Sequence, residues 1–253
     1  MNIEIFKVDS NNKSYYVKNK EKIMKEFNSL IKIAEKVVLP NYKELDIHHI
    51  EEKARIELYS ILSRLPYVGG DKSPFTSLMI QSAETIAFYN AIKPLNFTER
   101  EMGKIIYEVA EIYAKSLSSV KKWFYRRAIF SKKMKNYWKE WLKESQKQKY
   151  PENWVGEYIE GDKKSFDYGF NFTECGCLKL IQKEGAQEIA PYICLCDYAR
   201  MKAIGIGFKR TKTIAAGAEM CDFRFTRNYQ TQRGWPPEEL EENKSSQARE
   251  IFS

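Results

Sequence analysis

Tyr150-Pro151-Glu152-Asn153-Trp154-Val155-Gly156-Glu157-Tyr158-Ile159-Glu160-Gly161-Asp162 is where the character of the chain changes. Before Pro151 apolar residues recur every three or four positions, the period of a helix with one buried face. After it they come in short aromatic runs punctuated by Gly156, Gly161 and Gly169, which is the pattern of strands. Trp154 to Ile159 and Lys164 to Phe172 read as two strands joined by a tight turn at Gly161-Asp162. Farther on, Cys177 to Lys183 reads as a short helix ended near Gly185, and Pro191 to Ile204 as another. Ile206 to Ala215 and Cys221 to Arg227 alternate as an antiparallel pair around Gly217. The expected class is α+β: a helical region 1–150 packed with a mixed antiparallel sheet and short helices in 151–227. A polar tail, 228–253, is expected to pack loosely or not at all.

Outward from the break, toward the N-terminus, four helices carry their own start signals. Ile23, Phe27, Ile31, Ala34 and Val38 stripe the first, Glu21 to Val38. Asp46 is placed to cap a second that Pro66 ends, and Ser73 with Pro74 at the first helical position starts a third, to about Ile92. Thr98-Glu99-Arg100-Glu101 has the capping-box spacing for a fourth, to about Leu117. A basic aromatic helix, Lys121 to Lys149, follows. Its Trp123, Phe124, Trp138 and Trp141 are expected on a buried face, opposite a wet basic one.

Composition narrows the function classes. A chain of 253 residues that is 43% hydrophobic and 14% aromatic can bury a substantial core, which excludes a disordered protein. No apolar run approaches the roughly 18 residues that span a bilayer. Met1 to Lys7 has no apolar leader region, so secretion is not expected. All five cysteines fall in the C-terminal half, and an odd number without a leader points to reduced thiols in a cytosol. The net charge of +8 comes largely from the basic helix, read as a solvated face. No zinc-finger or RRM signature accompanies it, so nucleic acid is not expected as a partner, and without a spanning run neither is a membrane.

The residues fit for chemistry crowd together after Pro151. Phe166-Asp167-Tyr168-Gly169 leads to Thr173-Glu174-Cys175-Gly176, and Cys194-Leu195-Cys196-Asp197 follows. Arg210-Thr211-Lys212-Thr213 and Cys221-Asp222-Phe223-Arg224-Phe225 close the series. In this order, with Leu65-Pro66-Tyr67-Val68-Gly69-Gly70 and Tyr150 to Val155, the chain resembles the L-2-amino-thiazoline-4-carboxylic acid hydrolase family over roughly residues 60 to 227. The resemblance implies a ring-opening hydrolase that turns an amino-thiazoline into a carbamoyl-cysteine. Its closing strands are also similar to ligand-binding domains of the vinyl-reductase type, which implies a fold and no reaction.

Such chemistry needs a nucleophile, a proton shuttle and a grip on a carboxylate. Cys175, after a strand and before a helix, or a bound water is the candidate nucleophile, with Glu174 or Asp197 to move the proton. Glu174 can share a site with Cys175 only if the backbone turns at Gly176. Arg210 and Arg224 suit a carboxylate-bearing substrate, Ser73 offers a helix start, and Asp167 and Tyr168 of the Asp-Tyr-Gly segment complete the expected binding set. Cys175, Cys194 and Cys221 with Asp197 are candidates for Zn²⁺ or Mn²⁺, although Cys-X-Cys is not the spacing of structural zinc. Buried thiols packing as small hydrophobes are the competing explanation. His48 and His49 lie away from these motifs and support no triad. A non-catalytic sensor or carrier with a vinyl-reductase-like pocket is the alternative function.

Overall fold

The computed structural model describes residues 15–38, 40, 45–162, 164–227, 229–245 and 251–252. Met1 to Lys7, on which the secretion expectation rests, lies outside the described residues. Among the described residues the helices α1 (Lys20–Val38), α2 (Ile47–Leu62), α3 (Thr76–Ile92), α4 (Glu99–Ser116), α5 (Ser119–Ile129) and α6 (Lys132–Ser145) come first. Strands β1 (Val155–Glu160) and β2 (Tyr168–Glu174) follow, then α7 (Gly176–Lys183), α8 (Ala190–Ile204), β3 (Gly207–Lys209) and β4 (Cys221–Thr226). The class is α+β, with an antiparallel sheet in the order β1-β2-β4-β3.

The start signals work as their chemistry requires. Asp46 caps α2 by accepting the amide of His49, and Thr98 with Glu101 closes a capping box at α4. The third helix departs from expectation. It begins at Thr76, and Ser73 turns its hydroxyl to the amide of Phe75 inside the preceding turn. Phe75 at that helix start is stacked on Trp154 and edges Phe172, so an aromatic cluster packs against it.

Four further expectations need correction. The basic helix is two helices, because Ser131 interrupts it and caps α6 through the amide of Met134. The β1–β2 connection is a loop of residues 161–167 and not a tight turn: Asp162 gathers the amides of Lys164, Ser165 and Phe166. Ile214–Ala216 is a 3-10 turn, so the strand that starts at Gly207 ends at Lys209. The tail does pack. Thr231, Leu240, Glu242 and Asn243 are buried, and Phe252 joins the core.

One cluster of buried side chains runs from Tyr16 to Phe252, through both the helices and the inner face of the sheet. Period-two alternation sets that face: Tyr168, Phe170 and Phe172 of β2 lie beside Phe225, Phe223 and Cys221 of β4. Between the helices, α4 packs on α8 at Gly103. A Cβ there would stand 2.2 Å from the Tyr192 ring, itself wedged between Trp235 and Phe252. Alanine gains about 1 kcal/mol of helix propensity over glycine, but a ring that cannot retreat costs about 1–3 kcal/mol. Gly103→Ala is therefore expected to lower the thermal midpoint by several degrees. An unchanged or raised midpoint would show that Tyr192 can yield.

Candidate active site

Four of the five thiols converge where the end of β2, the starts of α7 and α8, and β4 meet. Cys175 is the N-cap of α7. Its thiol is hydrogen-bonded to that of Cys177, and the amides of Cys177 and Leu178 at the open end of the helix face its sulfur. Ser82, reaching in from α3, sets its hydroxyl 2.8 Å from the Cys177 sulfur. Thr213, in the segment after β3, sets its hydroxyl 3.7 Å from the Cys194 sulfur and 3.6 Å from that of Cys221. The amide of Ile214 points at the Cys221 sulfur at 3.3 Å. Cys175, Cys194 and Cys221 are close enough for the charge on one to disfavour ionisation of another.

Helical spacing sorts the rest. Asp197 is three residues after Cys194 and shares its side of α8. Cys196, two residues on, is turned about 200° away, and its sulfur lies 3.9 Å from the Tyr192 carbonyl. All five are free thiols; Cys221 is buried and the other four are half-buried. The thiols of Cys175 and Cys194 rest protonated. The bond from Cys177, together with burial, pushes Cys175 well above the ordinary thiol range. Burial does the same to Cys194 against the opposing pull of Arg210.

Arg210 organises the polar side of the cluster. It is fully enclosed, and its Nε and Nη2 donate to Glu242 at 2.5 and 2.8 Å. Nη1 donates to Asp197 at 3.1 Å and Nη2 also to the Cys194 carbonyl. Burial alone would weaken its charge, but the carboxylate of Glu242 outweighs that and holds it protonated. Tyr198 adds a hydroxyl bond to Glu242 at 3.0 Å. Arg210 thus spends its planar fork on the protein's own tail and fixes Asp197, whose other flank reaches solvent.

Several expected site residues are elsewhere. Glu174 points to Lys179 and Gln148, away from the thiols. Gly176 does not turn the backbone to bring it back. A Cβ there would stand 2.7 Å from both the Glu152 carbonyl oxygen and the Trp154 ring, so the glycine serves close packing. Arg224 lies on the outer face of the sheet, bonded to Asn171 and to two strand carbonyls, opposite Cys221. Asp167 accepts the amide of Arg227 at 2.9 Å. Tyr168 is buried in the aromatic core with its hydroxyl unpartnered. Ser73 belongs to the turn before α3. Sequence reading gave no role to Ser82, Cys177, Thr213 or Glu242, although Thr213 stood within a quoted motif.

Among the described residues, no group of three or more His, Cys, Asp or Glu stands in a geometry that could hold a metal ion. Cys175, Cys194 and Cys221 with Asp197 therefore do not compose the Zn²⁺ or Mn²⁺ site that their types allow. Neither of two surface hollows is lined by a thiol. One, of about 350 Å³, lies farther along α3 against Tyr89, Lys93, Met102 and Glu188. The other is a narrow apolar slot against Ile31, Ile50 and Phe88.

The segment that supplies this cluster, residues 79–225, matches the family model of L-2-amino-thiazoline-4-carboxylic acid hydrolase. The chain belongs to that family. The match begins in α3, just before Ser82, and closes on β4, so it spans every thiol described above. Glu242 lies beyond it, and the family's core is completed here by a tail residue. Neither the curated proteins nor the solved structures give a match to the chain.

Proposed function

We propose that this member of the family is a hydrolase that opens a small cyclic amidine bearing a carboxylate, an amino-thiazoline carboxylate or a near relative. The observation that carries the reading is the convergence of Cys175, Cys177, Cys194 and Cys221 with an Asp197 held in place by Arg210. The electrophile in such a ring is the carbon between sulfur and nitrogen. Oxygen from water adds there, the carbon–sulfur bond breaks, and the departing sulfur takes up a proton to leave a carbamoyl-cysteine.

Cys175 is the residue assigned to attack first: its sulfur bonds to that carbon as the ring carbon–sulfur bond breaks, and water then adds to the same carbon and expels the Cys175 thiol, which takes back its proton. Amides at the start of α7 stabilise negative charge developing on its sulfur, as a helix N-terminus does. Because the resting thiol is protonated, its proton must leave as the bond forms, and Asp197 is the carboxylate assigned to move it. The rate is then expected to rise with pH through neutrality, since the thiol ionises above its ordinary range. Release of a free thiol from L-2-amino-thiazoline-4-carboxylate is the assay. Asp197→Asn should lower turnover by about 10²- to 10⁴-fold with the fold intact, and Cys175→Ala should abolish it. Undiminished ring opening in both variants would overturn the residue roles. Binding of the ring without turnover by the unaltered protein would favour the sensor or carrier reading instead.

A further inference from the structure

Helix α5 meets the core only through half-buried Ile129 near its C-terminal end. None of its residues is buried, and Val120, Trp123, Phe124 and Tyr125 are 75%, 52%, 63% and 49% exposed. Val120, Trp123, Phe124 and Arg127 recur at helical spacing and form one outward face. Placing Trp123 and Phe124 on a buried face is the expectation that the structure overturns most sharply. Large aromatic side chains on an outward face next to cations need a reason. The cations are concentrated here: between Glu111 and Glu140 the chain carries nine Lys and Arg and no Asp or Glu. Tyr113 on α4, close to Tyr125, is exposed as well. Among the described residues no helix is long and apolar enough to cross a membrane, so the surface is not part of a span.

We propose that α5 docks the protein onto an anionic phospholipid surface, with Trp123, Phe124 and Val120 entering the headgroup boundary and Lys121 and Arg127 lying among the phosphates. Charge selects this occupant. A second copy would bring the same unbalanced cations face to face, which repels. The apolar residues crown a convex helix, whereas a single-stranded nucleic acid needs a groove that tracks its backbone beside aromatic platforms. Amphipathic helices with Trp and Phe on one face and Lys and Arg beside them bind bilayer interfaces through apolar burial and attraction to anionic headgroups. The absence of a membrane partner, expected from the sequence, rested on the lack of a spanning run, which does not bear on a helix lying in the interface.

The test uses the full chain with phosphatidylglycerol–phosphatidylcholine vesicles and, in parallel, pure phosphatidylcholine vesicles. Co-flotation with the anionic vesicles alone is expected, together with a blue shift of tryptophan fluorescence and loss of binding at high salt. Trp123→Ser should remove most of the blue shift, and Lys121→Ala and Arg127→Ala should each weaken binding about fivefold. Because these side chains are exposed, the variants are expected to keep the wild-type circular dichroism spectrum. Absence of flotation, flotation unchanged in the variants, single-stranded DNA binding without vesicle binding, or a dimer that Trp123→Ser dissolves would each overturn the proposal.

Discussion

Glu242→Ala is expected to destabilise the protein by about 3–5 kcal/mol, the range for stripping one partner from a buried ion pair. Both side chains are about 1% exposed, and Glu242 accepts from two nitrogens of Arg210 and from the Tyr198 hydroxyl. Removal leaves a guanidinium that cannot lose its proton, enclosed by Tyr198, Phe208 and Phe223 and bonded only to Asp197 and a carbonyl. Its charge would then be compensated only at the edge that holds Asp197. Urea unfolding of the variant, monitored by circular dichroism, measures the loss. A double variant, Arg210→Leu with Glu242→Leu, is expected to recover most of the stability, because apolar groups of similar volume replace a buried pair at little net cost. It should not recover ring opening, since Asp197 would have lost the group that orients it. A loss under about 1 kcal/mol in Glu242→Ala would mean that water reaches the pair, as in surface ion pairs.

That pair also marks where sequence reading stops. Arg210 and Glu242 are 32 positions apart, and no local pattern announces that a glutamate in an acidic tail will be drawn into the core. The helix stripes, the Asp46 cap, the Thr98 capping box and the strands after Pro151 were legible because each is a local arrangement of a few residues. The place of Cys175 at a strand–helix junction was legible for the same reason. Other errors had signals available. Cys221 and Arg224 are three positions apart on one strand, and an odd separation puts them on opposite faces. Ser131, within the basic stretch, is a helix-capping residue type and does cap α6. Trp123 and Phe124 mislead for a different reason. Periodicity shows that side chains share a helix face, but only packing decides whether that face meets the core.

Stability should fall between about pH 4.5 and 8, and Glu84 is the reason. It sits on the central helix α3, 3% exposed, with Oε1 lacking a partner. Burial, helped by Glu26 on α1, pushes its carboxyl up to about 8 from an ordinary 4.5. Tyr113 on α4 and Arg200 on α8 share this neighbourhood, but Arg200 donates to Gln81 at 2.6 Å. Below pH 4.5 folded and unfolded chains both hold the proton, and the group costs nothing. Above it the unfolded chain releases the proton while the folded chain keeps it, so stability drops by about 1.4 kcal/mol per pH unit. At pH 7 the accumulated loss is on the order of 3 kcal/mol. Glu84→Gln deletes this titration. The new amide would itself be unpaired at a cost of about 1–3 kcal/mol, so absolute stability near neutrality should change little. The diagnostic is the slope: denaturant midpoints of the variant should fall less steeply than those of the wild type as pH rises toward 8. Parallel profiles would place an ionised, solvated carboxylate at this position and contradict the packing of α3.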